Sequence, residues 1–127
     1  INLSNIGTNT HAQIDSHIAD TAIHGPLEIN SQAGTTYTGV LTDGGNLIKF
    51  TSASPVTFTV PPNSSVAYPI GTEIEVLREG AGTVTVAPGA AVTINSPGAL
   101  LSLTSQYSMG ILVKTATDTW TLRGDLV

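Results

Sequence analysis

The residues able to do chemistry are few and fall into separate groups. His11, His17 and His24 all lie in the first 24 positions of the 127-residue chain. His17 and His24 are seven apart and share a helix face, so three copies could gather them into a ring that holds a metal or an anion. No His-Glu-x-x-His spacing is present. Solvated flank positions are the more ordinary role for these histidines, and His11 is the one that fits the axis of a bundle. Glu73 and Glu75 alternate on one side of a strand, a geometry compatible with paired glycosidase acids. A solvated strand face opposite Ile74 and Val76 fits them better, with Lys49 or Arg78 as loose partners for this pair and Glu79. No G-x-S-x-G elbow, phosphate loop leading into a helix, or calcium-loop pattern occurs. The expectation is a non-enzyme with no catalytic residue, no metal site and no cofactor.

Binding chemistry is the other possibility. The aromatic residues are Tyr37, Tyr68, Tyr107, Phe50, Phe58 and Trp120. Trp120, in DTWTL, is expected in the core. Tyr68 follows the loop PPNSSVAYP and is expected to be exposed, as one ring of a sugar platform. With Asn63, Ser64, Ser65 and Glu79 it makes up a candidate receptor-facing set on the loops Asn63–Ala67 and Glu79–Gly82.

Composition narrows the partners. Net charge is −5 with four basic residues, Lys49, Arg78, Lys114 and Arg123. No basic stripe can neutralise phosphates, which argues against nucleic acid and against anionic membranes. Cysteine is absent, so disulfides and thiolate sites are excluded. No apolar run approaches the roughly 18 residues of a membrane span. The charged fraction is 10%, against about 25% in an average domain. Polarity comes instead from Thr, which suits a pleated, half-buried surface. Such a composition points to an all-β protein of extracellular or virion type. A chain opening on Ile1 without Met reads as a fragment or a cleaved product.

Positioning these groups requires a helix and a β domain. Thr10 and Gln13 form a capping box, and Gly25-Pro26 ends the run, so a helix is expected over Thr10–His24. His11, Ile14, Ile18 and Thr21 make an a-d-a-d seam, and isoleucine at both core positions favours trimers or tetramers. Two heptads are short, so such an assembly needs help from the β domain. Residues 1–25 are therefore read as a helical trimerisation or linker segment, 26–36 as a connector with a short strand at Leu27–Asn30, and 37–127 as the β domain.

Within that domain the period is two. Val56-Phe58-Val60, Ile74-Val76, Val84-Val86, Val92-Ile94, Leu101-Leu103 and Trp120-Leu122 alternate with polar residues, as half-buried antiparallel strands do. Gly39-Val40-Leu41 and Met109–Val113 are apolar on both faces, which fits central strands or a subunit contact. Turn residues recur every eight to twelve positions, with Asp43-Gly44-Gly45-Asn46 read as a hairpin turn. The Val-Thr-Val phrases have no fixed period, so a meander is expected and not a solenoid. The expected fold is mainly β: a short helix in a trimeric bundle, then an antiparallel β-sandwich or jelly-roll-like domain.

The segment NIGTNTHAQIDSHIADTAIHG resembles the helical linker of tail fibres and tailspikes of tailed bacteriophages. VLTDGGNLIKFTSASPVTFTVPPNSSVAYPIGTEIEVLREGAGTVTVAPGAAVTINSPG and QYSMGILVKTATDTWTLRGDL are similar to a β domain near the C-terminus of such fibres. Together these phrases cover nearly the whole chain. The resemblance implies a parallel homotrimer in the virion, a structural part of a tail fibre involved in host attachment. Its partners would be other copies of itself and a bacterial surface glycan or protein receptor. The alternatives are a carbohydrate-binding receptor-recognition module and the non-catalytic tip of a polysaccharide-degrading tailspike. No catalytic or receptor-contact residue transfers from the family.

Overall fold

The computed structural model describes residues 11–19 and 25–127. The protein is mainly β. Helix α1 (His11–Ala19) precedes β1 (Ile29–Gln32), β2 (Thr36–Thr38), β3 (Leu47–Phe50), β4 (Val56–Val60), β5 (Glu73–Arg78), β6 (Val84–Pro88), β7 (Thr93–Asn95), β8 (Met109–Ala116) and β9 (Thr119–Gly124). The strands make a six-stranded sheet, in the order β1-β3-β5-β8-β9-β7, and a three-stranded sheet, β2-β4-β6.

Up to β6 the chain places strands alternately in the two sheets, each parallel to the strand two before it. Parallel neighbours need a long crossover. Here the crossover contains a strand of the opposite sheet. The chain then reverses. β8 runs antiparallel to β5 and β9, and β7 lies parallel to β9. The single hairpin among the named strands, β8–β9, turns at Thr117-Asp118 with Asp118 at φ 53°, a left-handed conformation that Asp tolerates.

This corrects the antiparallel meander expected above. Antiparallel ladders between the named strands are confined to β5–β8 and β8–β9, and the first six strands wind as a short solenoid. In-out alternation is identical in parallel and antiparallel strands, so it cannot tell them apart. The coils also differ in length, because Ile29 lies on Leu47 but Leu47 lies on Glu75. Gly39-Val40-Leu41 is likewise not a strand. Leu41–Asp43 form a 3₁₀ turn, and the following glycines carry the chain to the other sheet instead of closing a hairpin.

Both sheets fill one core. Ile48, Phe50, Ile74, Val76, Leu112, Trp120 and Leu122 point inward from the larger sheet, and Val56, Phe58, Val60, Val84 and Val86 from the smaller. Parallel register stacks like on like, so Val56 faces Val84 and Ile48 faces Val76.

The two outer surfaces differ. The smaller sheet turns out Thr36, Thr57 and Thr85 in one row and Thr38, Thr59 and Ala87 in the next. The larger sheet turns out Leu47, Leu77, Ile111 and Val113, all half-buried, with the more exposed Ile29 and Met109 among its charged residues.

Two glycines let the loops close. Gly80 and Gly82 press against the 51–54 loop, where a Cβ at Gly82 would overlap the Ser54 carbonyl oxygen and one at Gly80 that of Ser52. Gly82→Ala should therefore destabilise the domain by about 2–3 kcal/mol through enforced backbone displacement. Urea unfolding measures this, whereas Gly34→Ala, which meets only a contact of ordinary length, should cost under about 1 kcal/mol.

Candidate functional site

Helix α1 carries the first candidate surface. Ile14 and Ile18 stand one turn apart on one face. They are 39% and 66% exposed, and every residue from Ala12 to Ala19 is exposed. The helix therefore leaves most of Ile18 and about two-fifths of Ile14 uncovered. His11 opens the helix and His17 sits in its last turn. Thr10, Thr21 and His24 lie outside the described residues, and with them the cap, the last seam position and the partner of His17 in any ring. Among the described residues no group of three His, Asp or Glu gathers into a metal site.

The receptor-facing set divides. Asn63, Ser64 and Ser65 lie on the loop before β5, whereas Glu79 follows β5, so six strand residues separate them. Ser64 and Ser65 are exposed, and Glu79 is half-buried with its Oε2 3.2 Å from Lys49 Nζ. Tyr68 is not exposed as expected, and this is a correction. It is 3% exposed, donates its hydroxyl to the Val40 carbonyl oxygen at 2.6 Å, and meets Trp120 edge-on at 5.4 Å. An amphipathic ring buries its body and satisfies its hydroxyl, which a Pro-rich loop around it cannot reveal.

Beneath that loop lies Lys114, a residue whose role the motif search missed. Its side chain is buried, and Nζ donates to Asn63 Oδ1 (2.6 Å) and the Tyr68 carbonyl oxygen (2.7 Å). The ammonium also lies 6.0 Å from the Trp120 ring centre. Asn63 N in turn donates to Asp118 Oδ1 at 2.6 Å. The β8–β9 hairpin thus holds the Asn63–Tyr68 loop from both ends. The signal was in the sequence, because Gly110, Leu112 and Lys114 share the inward parity of β8. Lys114→Met keeps the stem but orphans both oxygen acceptors. It should cost about 1–3 kcal/mol, read from the urea midpoint.

At the outermost strand, β1, the inward positions turn polar. Asn30 lies beside Ile48 and Gln32 beside Phe50. Asn30 Nδ2 donates to Tyr37 Oη (2.8 Å) and Asp43 Oδ1 (2.7 Å), and Gln32 Nε2 donates to Asn30 Oδ1 (2.6 Å). Tyr37 Oη donates to Asp43 Oδ2 (2.8 Å), which also accepts from Val40 N (2.8 Å). Asp43, read in the sequence as a turn residue, is 2% exposed and organises this polar lid. The Tyr37 phenol is pushed up to about 12, first by burial and then by the hydrogen bond to Asp43 and its charge, while the Asn30 hydrogen bond works the other way. Burial pushes Tyr68 up as well.

Glu73 and Glu75 occupy the outer face of β5, opposite buried Ile74 and Val76. Glu73 reaches Arg123 at 3.8 Å, an exposed and weak pairing. A groove of about 770 Å³ runs beside Glu73 and is lined by Leu41, Pro69 and Ile70 among others. Compared with known proteins, the chain matches no family model, no curated protein and no solved structure. No helix among the described residues is long and apolar enough to cross a membrane.

Burial of Tyr37 ties the stability of the fold to alkaline pH. Unfolded tyrosine ionises near pH 10. Folded Tyr37 holds its proton to about 12, so between these values the folded state binds more protons and loses stability as pH rises. The urea midpoint should fall across this window. In Tyr37→Phe the fall should be shallower.

Proposed function

We propose that this chain is a trimerising distal segment of a bacteriophage tail fibre, a structural part of the virion that helps present the fibre to the host surface. The observation that carries the reading is the uncovered Ile14/Ile18 row on a nine-residue helix. An isolated helix of that length is marginal in water. Copies of itself are the partner to which an Ile-Ile seam is suited; such a seam favours parallel trimers or tetramers, and the resemblance to phage fibres selects the trimer. The linker phrase around that row supports the same assignment through its resemblance to phage fibres, as do the β phrases behind it.

Magnitudes limit what the helices do alone. Two isoleucines contribute at most about 1.5–3 kcal/mol each on full burial. Association costs on the order of 4–15 kcal/mol in lost freedom. The helices therefore set register and copy number, and the β domain must add contact area. A carbohydrate platform is less well supported, because its intended ring, Tyr68, is buried.

Light scattering after size exclusion tests the reading. The full chain should elute at three times 13.0 kDa. Ile14→Asp/Ile18→Asp should weaken the trimer at least tenfold, shifting its dissociation to higher concentration. A full chain that stays monomeric at high concentration contradicts the proposal.

A further inference from the structure

We infer that the outer face of the six-stranded sheet is the contact through which copies of this β domain pack, with the threonine face of the other sheet left to solvent. This rests on the self-association proposed above and names the surface that performs it.

The inference begins with β8. A strand with one face in the core ordinarily turns polar residues to water. Gly110, Leu112 and Lys114 take the inward positions of β8, yet three of its four outward residues, Met109, Ile111 and Val113, are apolar, with only Thr115 polar at its end. Register extends the feature across the sheet. Ile111 lies beside Glu75, which lies beside Leu47, which lies beside Ile29, while Met109 lies beside Leu77. The smaller sheet makes the control within the same molecule, with five threonines and one alanine at its paired outward positions. Composition alone would not separate the two faces. Pairing register does.

The occupant is a second copy, for three reasons. A stable interface takes about 800 Å² from each partner, more than an Ile14/Ile18 row supplies. Five strand spacings of about 4.8 Å make this face roughly 24 Å wide, the broadest regular surface on the domain. The face also carries both charge signs: within one copy Arg123 lies 3.8 Å from Glu73 and Lys49 3.2 Å from Glu79, and these solvent-accessible charges, with Glu75 beside them, can re-pair acidic to basic between identical copies. Connectivity agrees. The first strand after the helix segment, β1, belongs to this same sheet.

Two measurements test the inference. Ile111→Lys places a charge in the middle of the face, and Thr57→Lys places the same charge on the threonine face. Ile111→Lys should lower the mass by light scattering from three copies to one, and Thr57→Lys should leave it unchanged. The second measurement needs no variant. Met109 is the sole methionine and is 37% exposed in the isolated chain. Peroxide should oxidise it several-fold more slowly in concentrated wild-type protein than after dilution to monomer, read by intact mass. A wild-type trimer that keeps Met109 fully reactive, or an Ile111→Lys protein that stays trimeric, overturns this face as the contact but leaves the trimer reading standing. A wild-type chain that is monomeric throughout overturns both.

Discussion

Phe50 of the larger sheet and Phe58 of the smaller meet with ring centres 5.8 Å apart, and Tyr37 stacks on Phe58 at 6.0 Å. That aromatic contact joins two layers wound alternately by the same stretch of chain. Each coil contributes one inward row to each side of the core, so the rows must stay in register. A one-residue slip in any strand would turn its apolar side chains to the outside. The parallel stacking of Val56 on Val84 and Ile48 on Val76 is the geometric form of that requirement.

A wound core has an exposed first coil, and the sequence changes character there. Asn30 and Gln32 replace the apolar residues that occupy their columns in the next coil; Gln32 donates to Asn30, Asn30 donates to Tyr37 and Asp43, and Asp43 in turn accepts from Tyr37 and the Val40 amide. Buried polar groups are tolerable when every member is paired, and costly otherwise. Lys114 follows the same logic deeper in the domain, where its ammonium ties the Asn63–Tyr68 loop to the final hairpin. These hydrogen bonds tie the first coil and the Asn63–Tyr68 loop to the rest of the domain.

Much of this was legible in the sequence. Alternation located β4, β5, β6 and β9, and the doubly apolar Met109–Val113 segment became a central strand. Trp120 was expected inside and is 1% exposed. Strand direction was not legible, because period two carries no direction and unequal coils conceal the repeat. Tyr68 misled because a Pro-rich loop suggests exposure, whereas the Val40 carbonyl oxygen and Trp120 hold the ring inside. Asp43 misled in the same way, since a turn-forming Asp-Gly-Gly reads identically whether its carboxylate meets water or a buried tyrosine. Both errors concern partners distant in sequence, which local pattern cannot supply.

In the proposed assembly α1 gathers three copies in parallel. Because the chain has no cysteine, Asp15→Cys introduces a unique spin-label position on the exposed helix. Dipolar spectroscopy on the labelled full chain should then give one short intermolecular distance, comparable to the ~8–10 Å spacing of packed helices with the label arms added. No intermolecular coupling at concentrations well above those of the assembly, or a long distance indicating antiparallel helices, would contradict the account.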